Sequence, residues 1–143
     1  MIELHDVIKK IAEMLSKEFK MDVWDSDTQE GFKPECFYVV PVVPHTERMG
    51  EGYFHDVFSV RVTFFPVNEH QLNRLLEVKT RLRDLFVDGI FVTNEFHIDT
   101  QDMQFDFTPN HNLELLMDFE TWQRRPEAEG PLLEELETNF KEE

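Results

Sequence analysis

Apolar residues recur at intervals of three and four in two parts of the chain. The first set is Leu4, Val7, Ile8, Ile11, Leu15 and Phe19. Residues at this spacing share one face of an α-helix, so the pattern predicts a first helix over residues 4–19. The second set, which predicts a second helix, is Leu72, Leu75, Leu76, Leu82, Leu85 and Phe86. Asn68 is placed to cap the start of this helix, and Asp88-Gly89 to end it.

Between the helices, β-branched and aromatic residues predict three strands, at residues 23–24, 36–43 and 53–65. Pro41 indicates that the second strand lies at an edge or contains a bulge, because proline cannot donate to a strand ladder. The third strand alternates, and its apolar face consists of Phe54, Phe58, Val60, Val62 and Phe64. Residues 45–52 contain two glycines and no periodicity, which predicts a flexible loop that is too long for a tight hairpin turn.

The last third of the chain predicts a short apolar piece at residues 90–92 and then a hairpin. The arms of the hairpin are residues 95–107 and 113–122, joined by a turn at residues 108–112. In the first arm the apolar positions change from even numbers (Phe96 and Ile98) to odd numbers (from Met103 onwards). Because side chains alternate strictly along a strand, this change predicts a bulge or a break between Asp99 and Asp102.

These elements give the order α-β-β-β-α-β-β-β. The order predicts an α+β fold, a largely antiparallel sheet with two main helices packed on one face. We expect one domain over residues 1–125, followed over residues 126–143 by an acidic linker and a short amphipathic helix. The apolar face of that helix consists of Leu132, Leu133, Leu136 and Phe140. A helix of about ten residues is marginal alone, so we expect it to dock on its own domain, a neighbouring subunit or a partner protein.

The chain is strongly acidic, with 30 Asp and Glu against 14 Lys and Arg and a formal net charge of −16. Such a surface repels phosphate backbones, so specific nucleic-acid binding is not expected. Two interpretations stay open: the acid only keeps the protein soluble, or it lets the protein sit beside nucleic acid without gripping it. No apolar stretch approaches the ~20 residues that cross a bilayer, so no membrane partner is expected.

The first residues show no secretory leader, and the single cysteine, Cys36, lies in an apolar run. We therefore expect a buried, inert thiol and a reducing compartment.

No familiar catalytic or metal-binding motif occurs in the sequence. The six histidines have no metal-ligand spacing, and neither a Gly-x-Ser-x-Gly motif nor a glycine-rich phosphate loop is present, so no cofactor is expected. The densest polar group is His97 with Asp99, Asp102 and Asp106. It is open to two interpretations, a cation or enzyme site in a cleft and the solvent face of an alternating strand. Without a catalytic motif, the function is expected to lie in surfaces presented to other proteins.

Three stretches carry a resemblance to a known family: Gly-Phe-Lys-Pro-Glu-Cys-Phe-Tyr-Val at residues 31–39, the strand at residues 53–66 that ends Phe64-Phe65-Pro66, and the closing strand at residues 113–119. With the two helices between and before them, they resemble the small tail terminator proteins of tailed phages and prophages of Gram-positive bacteria. The resemblance spans roughly residues 1–125 and contains no catalytic residue.

The resemblance implies a structural ring protein, usually a hexamer, that caps the head-proximal end of the tail tube and stops its polymerisation. The implied partners are other copies of the chain, the tail tube protein, the head–tail connector or neck protein and, in a contractile tail, the sheath protein. The implied location is the virion tail or neck, after assembly in the host cytoplasm. The alternatives are another neck or tail-completion protein of the same fold, and a small enzyme or ligand-binding domain that uses His97 with Asp99 or Asp102.

Two groups of residues are candidates for these roles. The candidate subunit or partner contacts are His45, Glu47, Arg48, Met49 and Glu51 in the predicted loop, and Leu132, Leu133, Leu136 and Phe140 in the C-terminal helix. We expect the loop to be mobile in the isolated subunit and to become ordered on assembly. The candidate channel lining is Asp99, Asp102 and Asp106, with the glutamate-rich face of neighbouring strands.

Overall fold

A computed structural model of the protein describes residues 2–24, 34–50, 52–68 and 71–124. Within these ranges the chain forms two helices and seven strands. In chain order they are α1 (Leu4–Phe19), β1 (Asp22–Trp24), β2 (Cys36–Arg48), β3 (Tyr53–Phe65), α2 (Leu72–Phe86), β4 (Ile90–Thr93), β5 (Phe96–Ile98), β6 (Thr100–Phe107) and β7 (Leu113–Arg124). The predicted α+β class is confirmed.

Helix α1 begins and ends where its apolar spacing predicted. At its start the backbone N–H of Glu3 donates to Asp6 Oδ2 over 2.9 Å, and Lys20 ends it in the left-handed region at φ 55°. These two termini satisfy backbone groups that have no partner inside the helix. The buried face consists of Val7, Ile8, Ile11, Leu15 and Phe19.

The main sheet has the strand order β1-β2-β3-β7-β6, and every pairing except the parallel β1–β2 pair is antiparallel. Residues that face each other across the strands share one side of the sheet, as Val62 does with Val39 on one neighbour and Leu115 on the other. These residues form one buried core with the apolar faces of α1 and α2. Both helices therefore cover the same face of the sheet, as predicted; we call the opposite side the outer face.

The change of parity in the predicted hairpin is a change of sheet. Ile98 is buried in β5, which pairs with β4 in a separate two-stranded sheet, while β6 pairs with β7. The register of β6 shifts between Thr100 and Asp102, so the predicted break is confirmed. The prediction that the first arm of the hairpin is a single strand was wrong, because this arm consists of β5 and β6, which belong to two different sheets. At the junction the hydroxyl of Thr100 donates to the carbonyl of Phe86 over 2.6 Å, which ties the start of β6 to the end of α2.

Among the described residues, β1 pairs only with Cys36, Phe37 and Tyr38, so the rest of this edge of β2 has no strand partner within that part of the chain. Pro41 lies beyond that paired stretch, and the register with β3 shifts between Val42 and His45. Both predictions made from Pro41, an edge position and a bulge, are confirmed. Val43 lies inside the bulge at φ 45°, and its side chain is exposed.

The predicted loop at residues 45–52 was wrong. Beyond the bulge β2 resumes its pairing, from His45 opposite Val57 to Arg48 opposite Phe54. The connection is a short turn in which the N–H of Met49 donates to the carbonyl of Tyr53 over 3.1 Å. The polar composition of these residues predicted a loop, but the bulge in β2 allows the polar end of the strand to remain paired with β3.

The contact candidates His45, Glu47 and Arg48 consequently lie on a strand and Met49 in a turn. Glu51 is outside the described residues.

Helix α2 buries only part of the apolar set that predicted it. Its buried residues are Leu75, Val78, Leu82 and Phe86, whereas Leu72 and Leu76 are 59% and 43% exposed. The predicted cap was also wrong: Gln71 precedes the helix without a side-chain cap, and the N–H of Asn68 donates to Gln71 Oε1. Leucines occur on more than one side of this helix, so their spacing alone does not identify the face that the sheet covers.

The surroundings of Arg74 and of Cys36 raise the pKa of both side chains. Arg74 of α2 donates from both Nε and Nη2 to Glu35, each over 2.8 Å, and this bonding raises the pKa of the guanidinium. Cys36 is fully buried, and its burial, with Asp22 nearby, raises the pKa of its thiol. The expectation of a buried cysteine is confirmed.

The predicted boundary at residues 125 and 126 and the C-terminal helix, with Leu132, Leu133, Leu136 and Phe140, lie outside the described residues. In the ranges that are described, neither helix combines the length and the apolar character needed to cross a membrane.

Candidate functional site

The end of the sheet that carries the β2–β3 turn forms a three-stranded unit, which we call the hairpin extension. It consists of residues 45–48 of β2, 53–57 of β3 and 120–124 of β7, in continuous antiparallel register. On its inner side the N-terminus packs against it, since Gln123 accepts a hydrogen bond from the N–H of Ile2 and donates one to its carbonyl, both over 2.8 Å. The inner side is thus occupied, and the outer face is left for other contacts.

A cluster of polar and aromatic side chains covers the outer face of the hairpin extension. His55 lies at its centre, with Nε2 at 2.9 Å from Glu120 and Nδ1 at 3.8 Å from Glu47. The ring of His55 stacks on Trp122, with 3.8 Å between centroids and 10° between planes. His45 adds a contact of 3.3 Å to the other oxygen of Glu47. These contacts fix the side chains of three strands relative to one another.

Of the residues in this cluster, His45 and Glu47 were predicted from the sequence to be contact residues, whereas His55, Glu120 and Trp122 were not. These three residues become neighbours through the register of β3 with β7, in which His55 lies opposite Trp122. Their signal in the sequence is alternation, since Glu120 and Trp122 occupy the polar-facing positions of β7 and His55 the same positions of β3.

Large apolar side chains are exposed around the same cluster. Those on or next to the hairpin extension are Val43 (79% exposed), Trp122 (55%), Tyr53 (48%), Met49 (39%) and Val57 (38%). Single exposed apolar residues are common on protein surfaces, but a group at one end of one sheet is typical of a surface that contacts another protein. The arrangement can bury aromatic area and direct hydrogen bonds at the same place, as protein interfaces do.

The acidic candidates of the predicted channel are divided between two places. Asp102 and Asp106 both lie on the outer face of the edge strand β6, directly opposite Asp118 and Glu114 of β7. Arg61 approaches Glu114 to 3.4 Å on the other side. Like charges that face each other across strands repel, so this acidic part of the outer face lowers the stability of the isolated sheet. Asp118 and Glu114 were included in the sequence analysis only as a face of neighbouring strands.

Asp99 lies apart from that face, at the junction of β5 and β6. Its carboxylate is 79% exposed and lies 3.3 Å from Nδ1 of His97, whose ring packs against Phe91. Among the described residues, no hydrogen bond or ion pair joins Asp102 to His97 or Asp99, so the structure brings Asp99, but not Asp102, next to His97. In the same ranges no set of three or more His, Cys, Asp or Glu side chains is arranged to hold a metal ion.

Thirteen solved protein chains match this one in structure. One of them superposes with a TM-score of 0.49 at 13% sequence identity, over 90% of this chain and 100% of the other. Likeness at that level carries no functional argument. A comparison with curated proteins finds no match.

One family profile, described as phage tail terminator protein, matches residues 6–131. The matched span runs from the first turn of α1 to beyond the end of β7, so it takes in both helices and the strands of both sheets. Because the match extends over most of the chain and all layers of its fold, this protein belongs to the phage tail terminator protein family.

Proposed function

We propose that this protein forms a ring, a hexamer in the simplest case, that caps the head-proximal end of a phage tail tube. The ring ends polymerisation of the tube and presents a surface to the head–tail connector or neck protein. Its partners are copies of itself, the tube protein, the connector and, where the tail is contractile, the sheath protein. Assembly takes place in the cytoplasm of the host, a Gram-positive bacterium on the sequence resemblance.

The observation that carries the proposal is the family match over residues 6–131. Membership gives the chain a structural role in completing a phage tail, as a component of the virion tail. The ring, its copy number and the named partners go beyond that match.

The hairpin extension supports the proposal as a contact between subunits. It combines exposed Trp122 and Tyr53 with charged and polar groups held in fixed positions by His55. Aromatic residues surrounded by polar groups are enriched where proteins associate. Of the earlier contact candidates, His45, Glu47, Arg48 and Met49 belong to or adjoin this surface.

The acidic outer face of β6 and β7 supports the proposal as a channel lining. A surface that presents Asp102, Asp106 and Asp118, and whose Arg61 is paired with Glu114, offers passing DNA little positive charge to bind. Asp99 joins this lining only if the junction of β5 and β6 also faces the channel.

The test is the mass of the purified protein by light scattering, with negative-stain images, alone and mixed with the cognate tube protein. We expect rings for the natural chain, and loss of rings with unchanged thermal unfolding for Tyr53→Ser and Trp122→Ser. Phe91→Ser is the matched control, because Phe91 is 59% exposed but lies in β4, outside the hairpin extension. A chain that stays monomeric alone and on tube ends would refute the ring. Rings that persist in both variants would remove the hairpin extension from the contact.

A further inference from the structure

A groove begins where the described chain ends. Two adjoining hollows of about 370 Å³ and 300 Å³ share Ile2 and Thr93. The first is bounded by Arg124 and Phe96, and the second continues past Val92 along α1 to Lys9 and Lys10. The groove therefore leads from the end of β7 onto the solvent side of the first helix.

The floor of the groove is apolar and held in place. Ile2, Val92 and Phe96 are partly buried and pack against the core from outside. Ile2 is fixed by its two hydrogen bonds to Gln123, the penultimate residue of β7. A segment that covered these side chains would bury apolar surface on a floor that needs no rearrangement.

The charged side chains along the groove are balanced, with Lys9, Lys10 and Arg124 against Asp6, Glu13 and Glu95. Lys9 has no ion pair to the other described residues, whereas Lys10 is paired with Glu13 at 3.4 Å. Asp6, which also lines the groove, accepts the N–H of Glu3. In a chain with a net charge of −16, a place with a cation available is a favourable one for further acid.

We propose that residues 126–143 of the same chain fold back into this groove. They lie outside the described residues, and they contain seven Glu and one Lys together with the apolar positions 132, 133, 136 and 140. At helical spacing those four positions share one face, which would lie on the floor formed by Ile2, Val92 and Phe96. Glu135 and Glu137 flank that face and would approach Lys9.

The connection is long enough, and its direction favours the same chain. Residues 125–131 span up to about 23 Å when extended, at ~3.3 Å per residue. The groove opens beside Arg124 itself, so no such length is needed to reach it. The family profile matches up to residue 131, so the apolar positions 132, 133, 136 and 140 lie outside the matched span. The inference stands independently of the ring.

Zero-length carbodiimide cross-linking of the full chain, followed by mass spectrometry of the monomer band, tests the docking. We expect an amide between Lys9 and Glu135 or Glu137, with a yield that does not depend on protein concentration. Phe140→Glu and Leu136→Glu should lose this product, and the peptides of α1 and β4 should exchange backbone hydrogen severalfold faster. The matched control is Thr138→Glu, which adds the same charge on the opposite face of the segment and should leave both measurements unchanged.

A cross-link found only between chains would place the segment on a second copy and overturn the proposal. Equal yields in Phe140→Glu, Leu136→Glu and Thr138→Glu would show that the contact is not made through the apolar face, and would overturn it too. So would hydrogen exchange in α1 and β4 that is unchanged when residues 126–143 are removed. None of these outcomes bears on whether the protein forms a ring.

Discussion

At the scale of single residues, Gly89 is the least able of the three described glycines to accept a side chain. Its φ is 86°, and a Cβ built there would lie 2.1 Å from the carbonyl oxygen of Ile98. Gly89→Ala therefore combines left-handed strain with a backbone clash, and we expect it to lower the free energy of unfolding by more than ~2 kcal/mol. Gly50→Ala is the control, because φ there is 66° and nothing lies within 4 Å. It should cost about 1 kcal/mol in urea unfolding.

The buried thiol of Cys36 is expected to make the stability of the protein decrease at alkaline pH. Because burial raises the pKa of this thiol, the folded state keeps the proton at a pH where the unfolded state has lost it. The stability that the group contributes is fully present below the unfolded pKa and is lost as the pH rises above it. Cys36→Ala should be less stable at neutral pH but should lose less stability between neutral pH and the alkaline side. Urea unfolding across that range checks this, and parallel slopes would contradict it.

At the scale of elements, the orientation of α2 is open to direct measurement. Leu82 is fully buried and Leu76 is 43% exposed on the same helix. Leu82→Ala should lower the free energy of unfolding by about 2–5 kcal/mol, since it leaves a cavity in the core. Leu76→Ala should change it by no more than about 0.5 kcal/mol. Equal effects in chemical denaturation would mean that the helix is rotated from the orientation described here.

Helices and strands were predicted correctly from the sequence where a single signal, such as the spacing of apolar residues, determined them. Helix α1 and strand β3 have clean periods, so their bounds agree with the structure. The parity change after Ile98 predicted a break because alternation along a strand is strict. The apolar set of helix α2 mixed buried and exposed positions, because Leu72 and Leu76 satisfy the same spacing as the buried residues. At residues 45–48, the charged residues and the nearby glycines led to the prediction of a loop. The strand pairing there depends on a bulge, which composition does not reveal.

The candidate site was less predictable than the fold, because it depends on register between distant strands. Glu47 and His45 were found as polar residues near glycines, for a reason that the structure did not bear out. His55, Glu120 and Trp122 required the pairing of β3 with β7, which brings together His55 and Glu120, 65 positions apart in the chain. Asp102 and Asp106 were found because alternation alone places them on one face of β6.

At the scale of the whole molecule, the acidic outer face bears on assembly. If Asp102, Asp106 and Asp118 line a channel, association brings them close to their copies. Repulsion over a distance near ~8 Å is only partly screened at physiological ionic strength. We expect the fraction of ring to increase with salt in sedimentation experiments, and Asp102→Asn with Asp106→Asn to increase it at low salt.

The control for this prediction is Asp84→Asn, which removes an exposed carboxylate from α2, on the other side of the sheet. It should leave the salt dependence unchanged. An oligomer equilibrium that is indifferent to salt and to both sets of substitutions would mean that the acids face outwards and serve solubility alone.

The open edge of β2 limits how copies of this protein can join. A foreign strand laid along that edge would meet Pro41, which has no N–H to offer, and then the bend at Val43. Natural sheets use such interruptions to resist the addition of strands without limit. If copies of this protein associate at this edge, contacts between side chains are therefore favoured over backbone pairing. Contacts repeated at a fixed angle can close a ring when the rotation between neighbours closes, whereas backbone pairing along an unobstructed edge would continue into a fibre.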